Sequence, residues 1–199
     1  MKLGDVSNNS NIAIGTNALE DLTSGYANIG IGTAAATNIS TGYRNVAVGA
    51  LAMGVGVVTG YDNVAIGTGA LEDITVTSGS IAIGHSAARQ HTTGNANIAI
   101  GSGSMGKGIA AVGGGDGNIA LGSYALEDLT LGSGNVAIGL RAMDELTTGE
   151  HNIAIGQLAM SAGVTTGDAN IAIGYLCLLY TSDAADEGLG VDLGGRRII

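Results

Sequence analysis

The sequence predicts an all-β chain wound as a parallel β-solenoid, or β-roll, of about ten coils of 17 residues. Three observations predict it. A motif of the form N-I/V-A-I-G recurs ten times, starting at Asn11, Asn28, Asn45, Asn63, Ser80, Asn97, Asn118, Asn135, Asn152 and Asn170. The steps between starts are 17, 17, 18, 17, 17, 21, 17, 17 and 18 residues, too short for a helix-turn-helix repeat and suited to one solenoid coil. The chain also has 36 glycines and no proline, tryptophan or phenylalanine, so it lacks the bulk of a conventional core and must gain stability from regular stacking.

Each element follows from the consensus. The second and fourth motif positions are branched aliphatics from Ile12 and Ile14 to Ile171 and Ile173. That alternation marks a three-residue strand with one buried face, for which the aliphatics are the candidates. The residue between them is always Ala or Gly, which implies close packing on the opposite face. On this reading Ala13, Ala47, Ala65, Ala82, Ala99, Ala120, Ala137 and Ala154 line a contact with another protomer. The motif glycine, as in Gly15 or Gly84, turns the chain, and a second glycine three residues before the next start makes the other corner. Between the corners an apolar pair such as Ala18-Leu19 or Ala142-Met143 begins either a second strand or a single helical turn. The Asn column stacks in register, each amide able to bond the coils on either side. The 21-residue step places an extra loop around Lys107 to Gly114. Burying a few aliphatics per coil does not offset the ordering of 17 backbones, so further burial between protomers is expected.

The repeat domain spans 11–176, after an irregular segment at 1–10. From Cys177 to Glu187 the chain reads CLLYTSDAADE, which resembles the conceptual translation of a transposase-type sequencing adapter. Residues 177–199 are therefore expected to be a non-native or disordered tail, and the lone Cys177 to carry no information. The net charge of -10 argues against nucleic acid or an anionic membrane surface as partner. No apolar run is long enough to insert in a membrane as a helix.

Candidate chemical motifs are weak. GSGSMGKG, from Gly101 to Gly108, nearly matches a phosphate-binding loop but has Gly108 in place of the hydroxyl and no helix pattern after it. GGGDGNIAL, from Gly113 to Leu121, matches one calcium-binding nonapeptide, a unit that works only in tandem. The acid pairs Glu20-Asp21, Glu72-Asp73, Glu127-Asp128 and Asp144-Glu145 read as a solvated edge that discourages aggregation. His85, His91 and His151 have no metal or catalytic spacing and read as surface residues. No catalytic, cofactor or metal residue is therefore assigned. Tyr26, Tyr43 and Tyr61 follow corner glycines in neighbouring coils and form an aromatic stripe, either a ligand stripe for a sugar or receptor or ordinary stacking down one edge.

The repeated NIAIG and NVAIG with Ser/Thr-Gly corners resemble the head repeats of trimeric autotransporter adhesins and, more closely, the NxAIG repeats of phage tail-fibre and related bacterial surface proteins. The resemblance covers about Asn11 to Gly174. It implies a parallel β-roll, a homotrimer, and display of a binding surface toward a host-surface protein or glycan, at a bacterial outer surface or on a phage tail. The 17-residue period is longer than the usual adhesin-head repeat. The alternatives are a tail-fibre shaft without direct receptor binding, a solenoid enzyme acting through Lys107 or the acid pairs, and an ice-binding solenoid. The last needs a flat threonine array, whereas the Thr and Ser sites here lie at corners and vary.

Overall fold

A computed structural model describes residues 10–90, 92–107, 115–162 and 166–178. It contains ten three-residue strands: β1 (Ile12–Ile14), β2 (Ile29–Ile31), β3 (Val46–Val48), β4 (Val64–Ile66), β5 (Ile81–Ile83), β6 (Ile98–Ile100), β7 (Ile119–Leu121), β8 (Val136–Ile138), β9 (Ile153–Ile155) and β10 (Ile171–Ile173). They form one parallel sheet in sequence order, with motif residues in register, as in Ala82↔Ala99 and Ala137↔Ala154. The chain is thus a β-solenoid of the predicted period. Successive strands lie about 4.8 Å apart, so the ten coils extend about 43 Å from β1 to β10.

Hydrogen bonds between coils run all the way round. In the strand, Ile12 N–H donates to the Asn28 carbonyl and Gly32 N–H to the Ile14 carbonyl, both at 2.8 Å. On the opposite side, Leu71 N–H donates to the Ala87 carbonyl at 3.0 Å and Ser86 N–H to the Thr68 carbonyl at 2.9 Å. That second segment is neither strand nor helix: it is a succession of turns, and there is no helix among the described residues. Left-handed residues recur there in register, as at Tyr124 and Leu126 (φ 59° and 50°) and at Arg141 and Met143 (φ 55° and 53°). Such a conformation costs an L-residue roughly 1–2 kcal/mol, which the bonds to neighbouring coils offset. The motif glycine is obligatory for a simpler reason: a methyl on Gly84 (φ 135°) would stand 2.6 Å from the Gly101 carbonyl oxygen.

The faces of the strand are the reverse of the expected ones. The middle residue points inward: Ala47, Ala65, Ala82, Ala99, Ala120, Ala137 and Ala154 are fully or almost fully buried, and Ala13 is close to it. They pack against the apolar pairs of the turn segment, including Leu71, Leu126, Met143 and Met160. Gly30 shows how narrow this interior is, because a methyl there would lie 3.2 Å from Leu19 Cγ and 3.1 Å from the Ala35 carbonyl. The turn segment already fills the coil's interior, as Ala70, Leu71 and Ile74 do opposite Ala65, and leaves the strand room for one small residue only. The Ile and Val columns therefore face outward.

The Asn ladder forms as expected. Asn45 Oδ1 accepts both the backbone N–H (3.1 Å) and the amide (3.0 Å) of Asn63, while Asn45 Nδ2 donates to the Gly60 carbonyl at 2.9 Å. The ladder crosses the 21-residue step unchanged, Asn118 N–H donating to Asn97 Oδ1 at 2.8 Å. At Ser80 it continues through a hydroxyl, which accepts the Asn97 N–H at 3.1 Å. The tenth coil includes the two residues after the predicted 176. Cys177 and Leu178 take the places of the apolar pair, the Cys177 carbonyl accepts the Met160 N–H at 2.9 Å, and both side chains pack on the core. The N-terminal segment at 1–9, most of the predicted loop (108–114) and the tail from 179 onward lie outside the described residues.

Candidate binding surfaces

With the Ala column enclosed within a single chain, Ala13, Ala47, Ala65, Ala82, Ala99, Ala120, Ala137 and Ala154 cannot line a protomer contact. The surface available for one is the outer face of the same sheet. It carries two columns of branched aliphatics, with Ile12 at 48% and Ile173 at 65% exposure at the ends and Ile66, Ile100 and Ile155 exposed between them. Every strand contributes two such residues and no polar one. A strip about 43 Å long and two side chains wide presents several hundred Å² of apolar surface, at the upper end of what a monomer exposes.

The tyrosine stripe forms. Tyr26, Tyr43 and Tyr61 stack with ring centroids 4.9 Å apart and planes within 4° of parallel. Beside them Arg44 makes a two-pronged ion pair with Asp62, at 2.6 and 2.8 Å, and lies over the Tyr43 ring. Each inner ring face is covered by its neighbour, so the stripe presents mainly ring edges and hydroxyls and offers little open π-face to a ligand. The same corner column continues as a polar ladder: Tyr61 N–H donates to Ser78 Oγ, Ser78 N–H to Asn95 Oδ1, and Asn95 N–H to Asp116 Oδ1. Aligning the coils on the residue after the corner would have revealed this ladder. Asp116 thereby bonds within the corner, and the first two residues of the calcium-type nonapeptide lie outside the described residues.

Glu20 and Asp21 are exposed as expected, whereas the other three acid pairs are less solvated. Glu72 is buried and bonded to Arg89 at 2.6 Å, and the mostly buried Glu127 is held by Lys107 at 2.7 Å. Asp144, in the equivalent place one coil on, has its nearest cation, Arg141, at 3.9 Å, and its buried Oδ1 has no hydrogen-bond partner. Burial pushes its carboxyl up to about 6, opposed by Arg141 and assisted by Glu145 and Glu127. Lys107, the lysine of the near-miss phosphate loop, is engaged by Glu127 and no helix follows Gly101 among the described residues. No cluster of three potential metal ligands occurs among the described residues. His151 is exposed beside Glu150, His91 lies outside the described residues, and His85 borders a groove.

That groove, about 280 Å³, crosses the corner of the coils containing β5, β6 and β7. Gly103 and Gly106 form its floor, His85, Ser86 and Gln90 one wall, and Tyr124 and Glu127 the other. Its members come from three coils at matching repeat positions, Ser86, Gly103 and Tyr124 in one column and Arg89, Gly106 and Glu127 in another, and only the residue types differ, so no linear motif announces it. No family model, no curated protein and no solved structure matches this chain.

Proposed function

We propose that this chain is a structural and attachment element: a rod segment that assembles as a homotrimer through its Ile/Val face and displays its remaining corners toward a host-surface protein or glycan, at a bacterial surface or on a phage tail. The carrying observation is the unbroken apolar strip on the outer face of the sheet, from Ile12 to Ile173. Three such strips turned toward a common axis would bury one another along the whole rod, at roughly 25 cal/mol per Å² of apolar surface. The homotrimer and the display role rest on the resemblance of the NxAIG repeats to adhesin heads and tail fibres. The strip supplies the contact surface that the Ala column does not. A stiff rod bearing three copies of each patch gains avidity from simultaneous engagement without a catalytic centre.

Sedimentation equilibrium tests this reading. The unaltered chain should have the mass of three protomers, and the double variant Ile83→Glu, Ile100→Glu that of one, with circular dichroism verifying that the strands persist. A monomeric unaltered chain with native circular dichroism would overturn the assembly.

A further inference from the structure

We infer that the groove across β5, β6 and β7 is a binding site for a neutral saccharide, a deepening of the display role proposed above. The depression exists because the middle coil places glycine at both Gly103 and Gly106, whereas each neighbouring coil carries side chains at the two positions, Ser86 and Arg89 on one side and Tyr124 and Glu127 on the other. Tyr124 lies down on Gly103, where a methyl would approach to 2.7 Å of its ring, so the ring forms an apolar wall rather than standing into solvent. The Arg141 guanidinium lies over the same ring, 5.8 Å from its centre.

The polar groups around that ring suit hydroxyls better than a charge. Arg89 is neutralised by Glu72 at 2.6 Å and Lys107 by Glu127 at 2.7 Å, so donors and acceptors alternate with no surplus cation to attract an anion. Each pair holds its partners in fixed geometry yet leaves further guanidinium and ammonium hydrogens and a second carboxylate oxygen to bond a ligand. His85, Ser86 and Gln90 add side chains that both donate and accept. A pyranose presents that combination, vicinal hydroxyls on its rim and C–H groups on its face. A volume of about 280 Å³ stands just below the usual range for small-ligand sites and suits the end of a saccharide rather than an enclosed ligand. The tyrosine stripe has no equivalent, since its inner faces are closed by stacking.

Saturation-transfer NMR on the whole chain tests the site, with neutral trisaccharides of glucose, galactose and mannose as probes and an oligogalacturonate as the acidic counterpart. At least one neutral trisaccharide should show transfer, and its affinity should fall at least tenfold in Tyr124→Leu and in His85→Leu. Both replacements are accommodated by the repeat, which carries leucine at the equivalent Leu51, Leu158 and Leu140. Tyr61→Leu should leave binding unchanged. Transfer to no neutral sugar, transfer only to the uronate, or loss on altering Tyr61 but not Tyr124 would each overturn the proposal. Sedimentation of the same samples separates the two readings. A trimer that binds no sugar removes the groove alone, and a sugar-binding monomer removes the assembly alone.

Discussion

The two faces of each strand differ by one residue in sequence and by almost everything in consequence. Ala82 is fully buried, while Ile83, its neighbour, is 36% exposed. The larger apolar residue lies outside and the smaller one inside, against the usual expectation that bulk seeks the core. What decides the matter is cross-section. The inward residue meets the turn segment of its own coil at van der Waals distance, and only a methyl or less fits, so the strongest hydrophobes are left for whatever covers the outer face.

The sharpest way to break this contrast is to put the same charge on each side of it. Ala82→Glu buries a carboxylate where no partner is available and should abolish cooperative thermal unfolding and the strand signal in circular dichroism. Ile83→Glu should leave both in place in the isolated protomer. Equal damage from the two would mean that the faces have been assigned wrongly.

A smaller effect tests whether the interior volume is shared between positions. Where the corner is glycine, a methyl would crowd the amide of the asparagine three residues on, as at 3.0 Å for Gly42 and Asn45 or 2.9 Å for Gly149 and Asn152. Only before β5 are both residues changed, to Thr77 and Ser80, and there the buried Thr77 Oγ1 has no hydrogen-bond partner. The exchange is a matched one. Ser80→Asn alone should destabilise by about 1–3 kcal/mol in denaturant titration, whereas Ser80→Asn with Thr77→Gly should be at least as stable as the natural chain, giving a coupling of about 1–2 kcal/mol. Additive effects would deny the shared volume.

The smallest effect concerns the boundary between interior and surface. Because the folded carboxyl of Asp144 titrates near 6, above its ordinary 3.8, the folded state binds its proton more tightly. Its stabilising contribution is complete below the unfolded value and is lost as pH rises from about 4 through 6. Melting temperature should therefore fall over that interval in the natural chain, and the fall should be shallower in Asp144→Asn.

How far the sequence could be read depends on what each signal encodes. Strand positions, corners and the Asn ladder were legible because each reflects a local requirement repeated in almost every coil: an alternation, a glycine, an amide. Inside and outside were not, since a three-residue strand that is apolar on both faces carries no polarity signal. Residue volume held the answer, in that Ala13, Ala47 and Ala154 never enlarge. The groove was illegible for the opposite reason. It depends on the departures of two neighbouring coils from the common pattern, at Gly103 and Gly106 in one and Tyr124 in the next, and a consensus averages those away.

The bond from Asn118 to Asn97 is as short across 21 residues as others are across 17. The ladder therefore absorbs four additional residues between one asparagine and the next without a change of register. A foreign segment spliced between Lys107 and Gly115 would be carried at a fixed height along the shaft without disturbing the windings above or below, which makes the molecule a ruler on which new epitopes can be mounted.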